Sequence, residues 1–331
     1  MDLKKYAEAI RTHPGVTRKN AIHGVVDMFP TAGFSKVVAA EGEDAAVLEC
    51  GDTCVLFAAD GIMEKLIKSD PYLAGYYAVL VNVNDIAAMG GRPLGMVDVL
   101  ALSDGNPGTE LFKGMKYGVE KFGVPLVGGH THPDCHYDSI DISIIGTVKK
   151  EDVLLSSTAM PGDDIVFIMD IDGRFPPSVP YTFDTTSMKS AELVQAQMEA
   201  IAVVAERHLA HACKDMSNPG HIGTLGMMLE SSSAGAVVDV RKIPKPSFAD
   251  DIEWALAYLG CAFVIACDPS CSQKIIDIFR EVSCEGAVVG KVDGSRVLKI
   301  TDGKDTEVVF DFSKDIITGI APKKRPYGNG Y

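Results

Sequence analysis

The stretch YYAVLVNVNDIAAMGG, residues 76–91, decides the predicted fold. It is apolar around nearly the whole circumference of a helix, which predicts a helix buried on all sides. Asp70 supplies an N-cap and Pro71 suits the first helical position, while the glycines at 90–91 and Pro93 end the helix. The sequence therefore predicts a long central helix with marked ends.

Three polar residues interrupt this apolar helix, Asn82, Asn84 and Asp85. Asn82 and Asp85 stand three residues apart and share a face, so they could present an amide oxygen and a carboxylate to one cation. Alternatively, the buried Asp85 could have a structural role. Hydrogen bonds from backbone amides or an ion pair with a basic side chain would then offset the cost of burying its charge. Both interpretations remain open from the residues alone.

Two further carboxylates, Asp44 in EGEDAAVL and Asp60 in LFAADGIME, lie at the ends of strand-like runs. Loops at strand ends commonly gather functional groups, and several separated carboxylates suit magnesium, which prefers oxygen ligands and bridges them to phosphates. An aspartate at a strand end can equally be a turn residue.

Outward from the central helix, apolar strand-like runs alternate with helical patterns, which predicts an α+β (α/β) chain. The predicted strands are 45–50, 53–60, 124–129, 141–148, 165–170, 236–240, 261–266, 287–292 and a hairpin over 297–312, and the predicted helices are 109–122, 189–212, 222–230, 252–258 and 272–282. The Pro161–Gly162 turn marks the best candidate boundary between two halves. The Pro-rich loop over 175–180 could be mobile or could cover a site.

Composition narrows the class of protein. The chain has 331 residues, enough for about two domains, and 31 Lys+Arg against 45 Asp+Glu give a net charge of −14. This excess of acidic residues disfavours a surface that binds nucleic acid or docks to a membrane. The sequence has no apolar run of membrane-spanning length and no secretion signal, and its eight dispersed cysteines are expected to be reduced, so we expect a cytoplasmic protein.

The segment GGHTHPDCH, residues 128–136, follows a predicted strand. Its imidazoles and thiol could bind zinc or iron, although no CxxC pair or HExxH helix accompanies them. The alternative is that Gly128 and Gly129 allow close backbone approach to a ligand, with His130 pointing into the same pocket.

The sequence contains neither GxxxxGK[ST] nor GxGxxG, which disfavours a P-loop kinase or a standard dinucleotide fold. The segment DMSNPGHIGTLGMMLESS, residues 215–232, offers another way to hold phosphate, because glycine-rich backbone around Gly220 leads into a helix with unpaired amides. A simple glycine-rich start of a helix is the alternative.

Together, NVNDIAAMGGRP at 82–93, EGEDAAVL at 41–48, the Asp60 strand end, GGHT and the 215–232 segment resemble the aminoimidazole ribonucleotide (AIR) synthase superfamily. That superfamily includes thiamine-monophosphate kinase, selenophosphate synthetase and a hydrogenase-maturation protein. GGHTHPD and the helix followed by IPKP look most like the AIR-synthase-related group that includes methanogenesis marker proteins.

The resemblance implies an N-terminal domain over 1–158 whose strands pair with a second subunit in a homodimer, a C-terminal α/β domain over 159–322, and a tail over 323–331 that we expect to be flexible. It also implies ATP and Mg²⁺ in the cleft between the domains, and phosphate transfer to a small molecule, as in thiamine-monophosphate kinase.

Carried over by position, Asp44, Asp60 and Asp85 would be magnesium ligands, and Asn82, Gly128, Gly129 and Gly220 would line the nucleotide site. His130 stands where thiamine-monophosphate kinase has Asp, and matches selenophosphate synthetase. Asp215 matches the first Asp of the kinase's ISDG-like motif and would orient the substrate or act as a base, but Asn218 and Pro219 replace the motif's second Asp and Gly.

A basic residue is needed near the triphosphate, and Lys19 is the candidate, with Arg18 second.

Three hypotheses about function follow. The first is an ATP- and magnesium-dependent phosphotransferase or ligase that acts on a small molecule. The second is a nucleotide-binding accessory subunit that docks to a protein partner during cofactor or enzyme maturation, and the third is a transition-metal site at 128–136.

Overall fold

The structure, a computed structural model, describes residues 2–31, 33–103, 105–106, 108–258 and 260–320, so the predicted tail at 323–331 lies outside the described residues. The helices are α1 (Leu3–Thr12), α2 (Pro14–Thr17), α3 (Ala21–Met28), α4 (Glu64–Ser69), α5 (Pro71–Ala88), α6 (Thr109–Phe122), α7 (Ala191–Glu206), α8 (Gly220–Ser231), α9 (Asp251–Ala255) and α10 (Ser272–Arg280).

The strands are β1 (Val37–Ala39), β2 (Ala46–Cys50), β3 (Thr53–Ile62), β4 (Arg92–Ser103), β5 (Leu126–Cys135), β6 (Ser139–Lys149), β7 (Asp164–Met169), β8 (Ala212–Asp215), β9 (Gly235–Asp239), β10 (Ala262–Cys267), β11 (Glu285–Asp293), β12 (Val297–Thr301) and β13 (Thr306–Asp311). They form two sheets, which confirms the predicted mixed α and β fold class.

The central helix is confirmed. α5 is buried along almost its entire length, and the Asp70 side chain accepts a hydrogen bond from the Leu73 N–H at 3.0 Å. Pro71 occupies the first helical position, and Gly90 follows the helix with φ of 74°. A glycine suits that left-handed conformation because it has no Cβ to clash with the backbone.

The first sheet has the strand order β1-β2-β3-β6-β4-β5. Its inner face, including Leu56, Ile144 and Met96, packs against α5 and is buried. β4 was not predicted, because RPLGMVDVLALS follows the Gly-Gly-Arg-Pro stop signal and reads as part of a turn; its pairing with β5 and β6 makes it a strand.

β5 is longer than the predicted strand at 124–129. It continues to Cys135, because it pairs in parallel with β4 from Met96↔Leu126 to Ser103↔Cys135. The prediction that this strand ends at Gly129 is therefore wrong, because the strand continues through residues 130–135. These residues form an exposed edge strand instead.

The second sheet has the order β13-β12-β9-β11-β7-β10-β8. α1 lies far from it in sequence, yet Leu3, Tyr6 and Ile10 join the core of this sheet. The last strand of the first sheet ends at Lys149 and β7 begins at Asp164. The division at 158/159 lies between the two sheets and stays a prediction.

Polar contacts fix the two sheets relative to each other. Glu43, in the loop before β2, accepts hydrogen bonds from the Ser156 and Ser157 hydroxyls at 2.8 and 2.6 Å. From α5, the Asn84 amide donates to the Gly260 carbonyl at 3.0 Å. The first contact holds the loop before β2 against the segment that links the two sheets, and the second holds the last third of α5 against the second half of the chain.

Glycines let α5 and α6 pack closely. A Cβ added at Gly114 would lie 1.9 Å from the Tyr72 carbonyl oxygen, whereas one added at Gly24, in exposed α3, would meet nothing within 4 Å. We expect Gly114→Ala to lower the free energy of unfolding by about 1–3 kcal/mol through overpacking. Gly24→Ala is expected to leave it unchanged or raise it slightly. Thermal unfolding of both variants checks this, and equal stability would contradict the close packing.

Candidate functional site

Three carboxylates from separate parts of the chain meet where the two sheets adjoin. Asp44, Asp85 and Asp215 each offer an oxygen, and these oxygens lie within 4.8 Å of one another. Among the described residues, these three side chains form a group of His, Cys, Asp or Glu residues that lie close enough together to hold a metal ion. We call these three residues the carboxylate centre.

Each member of the carboxylate centre is positioned by a different element. Asp44 precedes β2, Asp85 lies in the last third of α5, and Asp215 is the last residue of β8. The centre therefore needs both halves of the chain to be in place.

Asp60 lies next to the centre on β3. Its backbone N–H donates to Asn82 Oδ1 at 3.2 Å, and the Asn82 amide donates to the Ala78 carbonyl at 2.8 Å. The buried Asn82 side chain thus ties α5 to β3 and sets the position of Asp60. In the structure, its oxygen serves this backbone contact rather than facing a cation beside Asp85.

A lysine that was not among the predicted site residues lies in the carboxylate centre. Lys214, on β8, forms an ion pair with Asp44, and the two side chains are only 4% and 5% exposed. The other oxygen of Asp44, Oδ2, is buried and has no hydrogen-bond partner among the described residues. The only pointer in the sequence was a basic residue directly before Asp215, because β8 was not among the predicted strands.

The ionisable side chains at the carboxylate centre have shifted pKa values. Burial, and then the charges of Asp60 and Asp215, hold the pKa of Asp85 well above its usual range. Burial, and then Asp44, raise the pKa of Asp215 to about 7. Burial would lower the pKa of Lys214, but Asp44 and Asp215 outweigh it and keep the pKa above the usual value. Groups with shifted pKa values cluster at functional sites.

A cavity of about 340 Å³ opens beside the centre. Asp60 and Asp215 line one part of it, and the predicted basic residues Lys19 and Arg18 line another. Burial and then the neighbouring Lys214 lower the pKa of Lys19, while Asp60, Asp215 and Asp44 act in the opposite direction. The cavity therefore combines anionic and cationic walls.

Further polar groups of the cavity were not predicted. Tyr77, Asn84 and Asn218 line it, and each carries a buried side-chain oxygen without a hydrogen-bond partner. Unpaired buried oxygens are costly, so their concentration around one cavity indicates a place prepared for a polar ligand. Tyr77 gave no signal in the sequence, because an aromatic residue in a buried helix looks like core.

The structure places His130 apart from this cavity. His130 and His132 lie on the exposed edge strand β5, with ring centroids 4.5 Å apart. Gly129 leaves room for the buried Asp98, whose Oδ1 would lie 1.5 Å from an added Cβ. Gly128 is exposed beside it, and neither glycine lines the cavity.

In a single copy of the chain, the described residues at 128–136 do not bring three metal-binding side chains together. The transition-metal interpretation of this segment therefore has no support from the geometry of one subunit.

Gly220 begins α8 with φ of 76°. A Cβ at this position would lie 2.3 Å from the Ala255 carbonyl oxygen, so close contact with α9 requires a glycine. This packing accounts for Gly220, and its expected role in holding phosphate stays a prediction.

Comparison with known proteins defines the class of protein. The AIR synthase related protein N-terminal domain model matches residues 42–148, and the corresponding C-terminal domain model matches 173–303. An uncharacterized protein of Methanocaldococcus jannaschii is 47% identical over 323 residues, covering 96% of this chain and all of that protein. The chain therefore belongs to the AIR synthase related family.

Solved structures share the fold. Thermotoga maritima PurL complexed with ATP superposes with a TM-score of 0.76 at 19% identity, covering 98% of this chain but 53% of PurL. AaThiL complexed with AMPPCP and TMP gives a TM-score of 0.66 at 18% identity, covering 86% of this chain and 94% of AaThiL. HypE in a HypE–HypF complex gives 0.67 at 18% identity, covering 87% and 98%.

A search of the described helices finds none that is both long enough and apolar enough to span a membrane.

Removing one charge from the centre should stabilise the metal-free protein. A carboxyl group whose pKa is raised by folding loses its stabilising contribution as the pH rises. We expect Asp85→Asn, in EDTA at pH 8, to raise the free energy of unfolding by on the order of 1 kcal/mol. The gain should shrink as the pH falls, because the raised pKa of Asp85 favours its protonated, uncharged form.

Thermal unfolding followed by circular dichroism measures this difference. Asp52→Asn, in the exposed turn between β2 and β3, is the matched control and should change nothing. A less stable Asp85→Asn protein at pH 8 would contradict the account of charge repulsion.

Proposed function

We propose that this protein binds ATP with Mg²⁺ in the cavity between its two halves and transfers or activates phosphate on a small-molecule substrate. The observation that carries the proposal is the meeting of Asp44, Asp85 and Asp215 beside a cavity that also presents Lys19 and Arg18. Carboxylates for a divalent cation and basic groups for phosphate are the parts that phosphoryl transfer needs.

The residues fit magnesium. The donors are carboxylate oxygens, which Mg²⁺ prefers, and Asp44 Oδ2 is a buried oxygen that lacks a partner. Asp44 and Asp85 would hold the ion, with Asp60 facing it from β3. When bound, magnesium would neutralise charge on the phosphates. The similarity to PurL and AaThiL, whose structures contain ATP and AMPPCP, supports the nucleotide part of the proposal.

Side chains of this protein would bind the phosphates and accept the proton that the reaction releases. Lys19 and Arg18 would bind and orient the phosphates within the cavity that Asp60 and Asp215 also line. Asp215, with a pKa raised to about 7, can accept a proton from an attacking hydroxyl at neutral pH. Enclosure between the two sheets would keep water from the transferred group.

A second, more apolar cavity of about 270 Å³ adjoins the first and shares Arg18, Met63, Asn218 and Tyr258 with it. The loop predicted to cover a site forms part of its wall, through Val179, Pro180 and Tyr181. We place the acceptor substrate here, next to the phosphates.

The free thiols of all eight cysteines suit a reducing compartment such as the cytoplasm.

An accessory role is the second candidate. Asn218 stands where the related kinase motif has its second carboxylate, so that Asp215 is the one acid of that motif in this chain. Such a protein would bind nucleotide without fast turnover and would dock to a partner in a maturation pathway, and HypE was solved in a complex with HypF. Slow turnover with every acceptor tried, together with a stable heteromeric complex, would favour this role.

We also infer a homodimer through the outer face of the first sheet. Phe57, Val97, Val99 and Ile145 project from neighbouring strands β3, β4 and β6, and each is more than 40% exposed. A contiguous apolar sheet face of this kind marks an interaction surface.

Lys19→Met should weaken binding of the ATP analogue AMPPCP in the presence of Mg²⁺ by about tenfold or more, because a charge-assisted contact to phosphate is lost. Calorimetric titration measures the dissociation constant. Lys274→Met, at an exposed position of α10, is the matched control and should bind as the wild type does. Unchanged affinity in Lys19→Met would remove Lys19 from the phosphate site.

Val99→Glu should convert the dimer to a monomer, because it places a charge on the apolar face of the first sheet. Light scattering after size-exclusion chromatography measures the mass. Val237→Glu puts the same charge on a similarly exposed valine of the second sheet and should leave the dimer intact. A wild-type protein that is monomeric at micromolar concentration would refute the inferred homodimer.

A further inference from the structure

Lys214 gives the carboxylate centre a cation of its own. Its ammonium group pairs with Asp44 in an environment where both side chains are at least 95% buried. The pair joins the two halves of the chain, because Lys214 belongs to β8 and Asp44 to the loop before β2. Asp44 Oδ2 remains buried and unpartnered, so the lysine satisfies only one of the two oxygens.

We propose that Lys214 is an internal counter-cation that occupies Asp44 in the nucleotide-free protein and gives it up when a divalent cation arrives together with nucleotide phosphates. This inference rests on the proposed function and adds an order of binding to it. It assigns Lys214 a positioning role that controls when Asp44 is available as a ligand.

The argument begins with charge. Asp44, Asp85 and Asp215 bring like charges together in a largely buried place, and such an arrangement needs compensation. Lys214 is the basic side chain in direct ion-pair contact with the centre. A divalent cation that approaches Asp44 without nucleotide meets this ammonium group and must displace it from its partner, so binding of the bare ion is disfavoured.

Nucleotide phosphates change this balance. Their oxygens offer Lys214 a new anionic partner, and the flexible four-carbon side chain can turn from Asp44 towards the cavity that Lys19 and Arg18 line. Both oxygens of Asp44 then become free for the cation. The expected consequence is that divalent-ion binding is weak without nucleotide and tight with it.

A purely structural clamp is the competing explanation. In that case Lys214 only fastens β8 to the loop before β2, and its loss lowers stability without improving any binding. The two explanations predict different changes in cation affinity when Lys214 is removed. Release of Asp44 predicts a higher affinity, whereas loss of a purely structural ion pair predicts no increase.

The experiment measures Mn²⁺ binding by electron paramagnetic resonance, since the signal of free hydrated Mn²⁺ reports the unbound ion without any need for turnover. We expect Lys214→Met, without nucleotide, to bind Mn²⁺ at least tenfold more tightly than the wild type. Adding Asp44→Asn to Lys214→Met should remove the gain. Lys189→Met breaks another largely buried ion pair, with Asp170, and should bind Mn²⁺ as the wild type does.

Unchanged or weaker Mn²⁺ binding in Lys214→Met would overturn the proposal, whether or not the unfolding temperature falls. If that variant does not fold, Lys214→Gln is judged by the same criterion. Wild-type protein that binds AMPPCP, yet binds Mn²⁺ as tightly without it as with it, would also overturn the proposal. Absence of AMPPCP binding would refute the nucleotide function separately, because the nucleotide-free comparison of wild type and Lys214→Met would still report on the lysine.

Discussion

Repulsion among Asp44, Asp85 and Asp215 is the constraint on which the site depends. Their oxygens lie within 4.8 Å of one another, so at neutral pH the fold must hold the charges together by other means. Two means are visible. Lys214 pairs with Asp44, and burial with mutual repulsion raises the pKa values of Asp85 and Asp215. A cation supplied with the ligand would complete the compensation, which couples binding to stability.

The architecture explains why such a centre can persist. α5 is buried along most of its length and carries Asp85, while Asn82 and Asn84 of the same helix bind β3 and the Gly260 carbonyl. The buried helix therefore fixes the acid by packing, and its amides fix the neighbouring walls. Because Asp44 and Asp215 come from different halves, the site exists only when the two sheets adjoin, and the cavity forms along that boundary.

Much of this could be predicted from the sequence. The caps and the largely apolar pattern of α5 predicted its bounds closely, and acids within or beside apolar runs pointed to Asp44, Asp60 and Asp85. Local patterns failed where long-range pairing decides the structure. β4 became a strand by pairing with β5 and β6, and α1 joined the second core from the far end of the chain. Lys214 was missed because its role depends on Asp44, 170 residues away in sequence.

The most direct measurement is anomalous diffraction from crystals grown with Mn²⁺ and AMPPCP. The account predicts a manganese peak bound by Asp44 and Asp85, with the phosphates between that ion and Lys19. Nucleotide bound elsewhere on the protein, or a carboxylate centre that holds no manganese while nucleotide fills the cavity, would contradict it.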